Sequence, residues 1–166
     1  MSKTVSYNFT DTAISGVSSL TFPRGLTNFG ADWKVKEQEP EEAIITNLTS
    51  PLSFPEKMRF CSSEVADVYK GAGIDPSLYA PSRRGVSVLG QVTEVWTVSD
   101  SADATYQVAL PVSAHLVVKV PQNENITPAM VQMLIGRMIS GLFETGKTDT
   151  TRLAALLRGS LLPSDL

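Results

Sequence analysis

The stretch that decides the fold is ATYQVALPVSAHLVVKVP, residues 104–121. Every even position from 106 to 120 is apolar, whereas the odd positions include Thr105, Gln107, Ser113, His115 and Lys119. Because side chains alternate between the two faces of a strand, this period of two predicts a β-strand with one dry face and one polar face. Fully extended, it would run about 55 to 60 Å. The question is what covers each face.

The residues before this stretch also alternate. Residues 86–98 predict a second long strand, and the turn formers of SDSADA connect the two strands into an antiparallel hairpin. Shorter strands are predicted at residues 4–9, 20–22, 33–38, 43–49 and 57–61. Residues 71–85 are rich in glycine and proline and have no periodicity, which predicts a long loop of the kind that can serve contacts between subunits.

After Pro121 the pattern changes to the helical period. Thr127 and Pro128 form a start signal, since a hydroxyl residue is followed by proline at the first helical position. Gly146 is a stop signal, so a helix is predicted at about 128–145. A second helix is predicted at about 149–158, before Gly159. The whole chain is predicted to be a single α+β domain spanning residues 1–166, with six or seven antiparallel strands followed by two helices.

Composition excludes several classes of protein. The 166 residues are 42% hydrophobic and 19% charged, which is typical of one globular domain. There is no apolar run near 18 residues and no signal-peptide pattern at the start, so we expect a protein that stays where it is made and contacts no membrane. The single cysteine, Cys61, excludes an internal disulfide, and a net charge of −3 leaves only local contacts for nucleic acid.

Two helices cannot cover the predicted sheet. A helix of 17 residues is about 25 Å long and about 10 Å across, whereas six strands span about 29 Å and the longest approach 50 Å. A monomer would leave an unusually large apolar surface in water, so a second copy related by a two-fold axis is the economical cover. The first helix offers an apolar stripe and small residues for this contact: Val131, Leu134, Gly136, Met138, Ser140 and Leu142.

The order of these elements resembles a known family. Short N-terminal strands, the hairpin of GVSVLGQVTEVWTVSD and ATYQVALPVSAHLVVKVP, and the helices in ITPAMVQMLIGRMISGLFETGKTDTTRLAALLRGSLLP are similar to the coat proteins of single-stranded RNA bacteriophages, the leviviruses. The resemblance is strongest from residue 84 to residue 163. It rests on element order and spacing rather than on a short motif.

The resemblance implies an interlocked homodimer whose helices cross a continuous sheet, and dimers that close into an icosahedral shell around genomic RNA. It implies a virion protein, assembled in the cytoplasm of a bacterial host, that in several members of the family also binds an RNA hairpin and represses translation. In the family the last strand pairs with its own symmetry mate. Pro111 would interrupt or bulge that pairing, because proline donates no backbone hydrogen bond.

The polar face is then the expected RNA-binding face. Its candidate residues are Lys57, Arg59, Gln91, Thr93, Ser113, His115 and Lys119, joined by Lys34 and Lys36 if their strand belongs to the same sheet. Lysine and arginine would contact phosphates, while the amide, hydroxyls and imidazole could contact bases or sugars. The alternative is an ordinary solvated sheet face, which alternation alone predicts.

Nothing in the sequence predicts an enzyme, a metal site or a cofactor. His115 is the only histidine and Cys61 the only cysteine, and no nucleophile-elbow, zinc-protease or phosphate-loop pattern occurs. Glu37, Glu39, Glu41 and Glu42 form an acidic cluster that predicts a charged loop, with interfacial calcium as the minority interpretation. The alternative function is a cellular homodimeric module that binds a ligand or peptide on its open face and forms no particles.

Overall fold

The computed structural model describes residues 27–100, 102, 105–147, 149–164 and 166. The described residues fall into two compact units, 27–122 with the strands and 123–166 with the two later helices. The elements in chain order are α1 Phe29–Asp32, β1 Trp33–Glu39, β2 Glu42–Asn47, β3 Lys57–Val65, a 3₁₀ turn Pro76–Leu78, β4 Gly85–Ser99, β5 Gln107–Pro121, α2 Pro128–Ser140 and α3 Leu153–Leu156.

The five strands form one antiparallel sheet in the order β1-β2-β3-β4-β5. The predicted hairpin is confirmed, since β4 and β5 pair without a register shift from Gly85 opposite Pro121 to Ser99 opposite Gln107. The predicted strands at 33–38, 43–49 and 57–61 are confirmed as β1, β2 and a longer β3. Those predicted at 4–9 and 20–22 lie outside the described residues.

The predicted loop between β3 and β4 has a defined internal structure. Tyr69 and Tyr79 stack with ring centroids 4.0 Å apart, and the guanidinium of Arg83 lies 5.2 Å from the centroid of Tyr79. The hydroxyl of Tyr69 accepts a hydrogen bond from the backbone N–H of Ala80 at 2.8 Å. At the base of the loop, a Cβ on Gly85 would lie 2.8 Å from the carbonyl oxygen of Val120, so only glycine fits there.

Helix α2 begins at Pro128 as predicted, although the Thr127 side chain makes no capping hydrogen bond. The prediction that it continues to residue 145 is wrong, because α2 ends at Ser140. Beyond that point Phe143 forms an isolated antiparallel β-bridge with Thr151. The backbone around Phe143 is therefore extended rather than helical.

The second helix is also shorter than predicted. It covers only Leu153–Leu156, not 149–158. The N–H of Arg152 donates to the carbonyl of Leu142 at 2.9 Å, so the residues before α3 are held by that contact rather than by a helical turn.

Few hydrophobic side chains are fully buried in a single copy of the described chain. Among the described residues, the one hydrophobic side chain classed as buried is Trp33, which is 8% exposed. Trp33 packs against Phe29, with ring centroids 6.0 Å apart, at the edge of the sheet where α1 leads into β1. Many other hydrophobic side chains of the strands are half-buried, and large ones such as Val88, Trp96 and Leu110 are exposed in one copy.

Candidate RNA-binding face and apolar faces

Residues directly opposite each other in a sheet share a face, so the pairing register shows which predicted residues lie together. Lys34 is opposite Thr46, Thr46 is opposite Lys57, Lys57 is opposite Thr93, and Thr93 is opposite Ser113. These five residues form one row across all five strands. Strand β1 therefore brings Lys34 onto the predicted RNA-binding face.

A second row lies beside the first. Arg59 is opposite Ile44 on one side and Gln91 on the other, and Gln91 is opposite His115. Six of the seven predicted residues therefore occupy two adjacent rows of one face. The β1 residue in this row is Glu37, which lies opposite Ile44.

Lys36 was expected on this face together with Lys34, but it does not join it. The register of β1 against β2 shifts between Val35 and Glu37, so Lys36 has no opposite residue. A bulge of this kind inserts one residue and resets the alternation after it. Glu37 therefore occupies the position that strict alternation assigns to Lys36.

Lys119 shares the face but lies farther along it. It is opposite Ser87, four residues beyond His115 on β5. At about 3.3 Å per residue this places Lys119 about 13 Å from the second row. Within one copy, Lys119 is therefore separated from the other six predicted residues.

Arg59 is paired with a carboxylate that the sequence did not single out for this face. Its Nε donates to Oε1 of Glu42 at 2.7 Å, and its Nη2 donates to Oε2 at 2.9 Å. The Arg59 and Glu42 side chains are 40% and 33% exposed. The hydrogen bond from Arg59 is the main cause that lowers the pKa of Glu42, and the same bond raises the pKa of Arg59.

Cys61 adjoins this pair. It is opposite Glu42 in the register, and its thiol contributes to lowering the pKa of the same carboxylate. Burial, which disfavours the thiolate, raises the pKa of the Cys61 thiol.

The acidic cluster is not the charged loop that the sequence predicted. Glu37 and Glu39 lie in β1 and Glu42 lies in β2, so only Glu41 belongs to the turn between them. No local signal could reveal the partner of Glu42, because Arg59 follows it by 17 residues. Among the described residues, no group of three or more metal-ligating side chains could hold an ion.

The opposite face of the sheet is apolar and open. Val88 is 48% exposed and Trp96 is 59% exposed, although both are large hydrophobic residues. A shallow hollow of about 280 Å³ lies over Gly90 on this face. Other exposed hydrophobic residues at the even positions of β3, β4 and β5 are Phe60, Val98, Val108 and Leu110.

Helix α2 also carries an exposed apolar stripe. Leu134 and Met138, one turn apart, are 56% and 54% exposed, and Leu142 continues the stripe. Val131 is half-buried and Ser140 is exposed, whereas Gly136 is already buried within the single chain. In the part of the chain that the structure describes, no helix is long and apolar enough to cross a membrane.

The fold has clear relatives among solved structures. The chain is similar to the structure described as the virus-like particle of bacteriophage AVE015, with 31% sequence identity, a TM-score of 0.86, and coverage of 99% of this chain and 100% of that chain. It shares its fold with the virus-like particle of bacteriophage GQ-112 at 16% identity and a TM-score of 0.78, covering 96% and 97% of the two chains. No protein-family model matches the sequence, and no curated protein matches it significantly.

An antiparallel five-stranded sheet followed by C-terminal helices is thus a phage coat-protein fold. At this identity and coverage, the chain belongs to the family of bacteriophage coat proteins represented by the AVE015 particle. Its role is that of a capsid protein and a virion component.

Proposed function

We propose that this capsid protein forms the shell of a single-stranded RNA bacteriophage of the levivirus type and packages genomic RNA against its polar sheet face. The observation that carries the proposal is the two-row array of lysine, arginine, amide, hydroxyl and imidazole side chains on one face. Lys34, Lys57 and Lys119 form no ion pair within the described residues, so their charges are free for phosphates.

The building block of the shell would be a dimer. The apolar sheet face and the Leu134–Met138 stripe are both exposed in one copy, and a two-fold related copy can cover both at once. The outer edge of β5 supports the same assignment, because β5 is the last strand of the sheet that the described residues form. An unpaired edge strand is a template for a further strand.

The position of Pro111 suggests the register of that dimer. Pro111 pairs with Val95 inside an unbroken β4–β5 ladder, so its missing N–H fits the outer edge. A symmetric ladder over residues 112–120 would be centred on Leu116 and would leave Pro111 outside it. In this register Ser113 lies opposite Lys119 of the second copy, which brings that lysine into the row of Lys57 and Thr93.

A cross-linking experiment tests this register. In a Cys61→Ser background, Leu116→Cys should form a disulfide between two copies under mild oxidation, because residues at the centre of the ladder face their own mates. Val118→Cys is the matched control, since it would face residue 114 of the other copy and should stay reduced. Equal cross-linking at both positions would contradict the register.

Particle formation tests the function as a whole. The full chain, expressed in bacteria, should elute as large particles that are visible by electron microscopy. These particles should contain nucleic acid that becomes sensitive to ribonuclease once the shell is opened. Particles without RNA would contradict packaging, and a protein that stays dimeric at high concentration would favour the ligand-binding module. Binding of one RNA hairpin at low concentration would add the translational repressor role.

A further inference from the structure

The positive charges of the polar face differ in one respect. Lys57 and Lys119 have no ion-pair partner within the described residues, whereas Arg59 is held by both oxygens of Glu42. A lysine ammonium without a partner acts as a mobile point charge. A guanidinium bound through two parallel hydrogen bonds is fixed in orientation and compensated in charge.

The contact leaves part of the guanidinium available. Arginine has five N–H groups, and Glu42 takes one on Nε and one on Nη2. The two N–H groups of Nη1 and the second one of Nη2 stay outside the ion pair. They belong to a side chain that is 40% exposed and lies beside Gln91 in the second row.

The remaining donors favour a neutral acceptor over an anion. A phosphate bound to the free edge of Arg59 would be repelled by the carboxylate on the other edge, which cancels much of the attraction. A base offers uncharged acceptors, such as guanine O6 and N7, which arginine recognises in a bidentate manner. In single-stranded loops these edges are accessible to side chains.

We propose that Arg59 contacts a base rather than a phosphate, and that Glu42 is the residue that determines this specificity. The inference rests on the proposed RNA-binding function and assigns separate roles within it. Lys57 and Lys119 supply the sequence-independent attraction, and Arg59, oriented by Glu42, supplies sequence preference together with Gln91. Glu42 is thus a positioning residue that prevents Arg59 from acting as another phosphate contact.

The test uses the purified full chain and a pool of RNA hairpins that share one stem and carry every possible loop sequence. Dissociation constants are measured for enriched and depleted loops over a range of salt concentrations. Glu42→Gln keeps the shape of the side chain but removes its charge. We expect it to bind all loops more tightly, to steepen the salt dependence by about 0.7 in logarithmic slope, and to reduce the preference among loops about tenfold.

Three further variants separate charge from geometry. Arg59→Ala should lose the loop preference and keep the salt slope, whereas Lys57→Ala should reduce the slope and keep the preference. Arg59→Lys preserves the charge without the planar fork and should also lose the preference. Circular dichroism and particle formation confirm that each variant is folded.

The outcomes distinguish the inference from the function on which it rests. If the unchanged protein binds no hairpin, the inference is overturned, whereas packaging is judged separately by the RNA content of the particles. If it binds hairpins, but Arg59→Ala and Lys57→Ala reduce the salt slope equally, the base-contact role of Arg59 is wrong while RNA binding stands. Unchanged preference and slope in Glu42→Gln would equally overturn the role of Glu42.

Discussion

The two faces of the five-stranded sheet share one backbone but place opposite demands on their surroundings. The even positions of β4 and β5 expose Val88 and Trp96, which gain free energy only when water is removed. The odd positions of β3, β4 and β5 carry the exposed Lys119 and the half-buried Lys57 and Thr93, whose polar groups can stay in contact with water. On our proposal, a second copy covers the first face permanently, and the second face accepts RNA during assembly.

The difference between the two faces separates the contacts that would join copies of the chain from those that would bind RNA. Among the described residues Trp33 is the one hydrophobic side chain that is nearly fully buried in a single copy, so the exposed apolar residues of the sheet and of α2 are available for the contacts between copies that we propose. Burial of apolar surface contributes about 25 cal/mol per Å². Contacts between copies that bury these residues would therefore stabilise the subunit and the assembly at the same time. Electrostatic attraction on the other face depends on salt and can be adjusted without unfolding the subunit.

The largest expected effect comes from placing a charge on the apolar face. Val88→Asp would put an unpaired carboxylate where we propose that a second copy packs, at a cost of several kcal/mol. We expect no particles, and either monomers or aggregates, in sedimentation and gel filtration. The effect should exceed that of any single substitution on the polar face.

The neighbouring residue supplies the matched control. Ser87→Asp introduces the same charge one residue away in β4, but on the opposite face and across from Lys119. Its carboxylate stays in water, so particles should form as before, with less RNA inside. Loss of assembly in both variants would show that charge, rather than the covered face, controls the contact between copies.

The contrast between the faces was predictable from sequence, because alternation is a property of each strand alone. It placed Gln91, Thr93, Ser113 and His115 on one face before any pairing was known. The bulge at Lys36 was not predictable, since it depends on how β1 registers against β2.

Long-range contacts explain the other errors. The early end of α2 follows from the bridge between Phe143 and Thr151, which no helical pattern contains. The pairing of Glu42 with Arg59 depends on β2 and β3 lying side by side, so the acidic cluster looked like a loop. Local periodicity therefore predicts faces, whereas partners across strands require the structure.

The smallest expected effect concerns the ion pair on the polar face. The pKa of Glu42 is lowered below its ordinary value of 4.5, first by the hydrogen bond from Arg59. A carboxylate with a lowered pKa in the folded state stabilises that state fully above its ordinary pKa, and this contribution is lost as the pH falls through the lowered value. The pair is partly exposed, so its contribution is small at any pH.

Denaturant unfolding of the unchanged protein and of Glu42→Gln at a series of pH values measures this contribution. The difference in unfolding free energy should be constant near neutral pH and should shrink in acid, at pH values below 4.5. Arg59→Gln and the double variant Glu42→Gln/Arg59→Gln complete a double-mutant cycle. The difference in unfolding free energy between these two proteins should not depend on pH in the acid range. A difference that grows as the pH falls would mean that Glu42 is destabilised by its surroundings. In that case the ion pair of Glu42 with Arg59 would not contribute to the stability of the folded state.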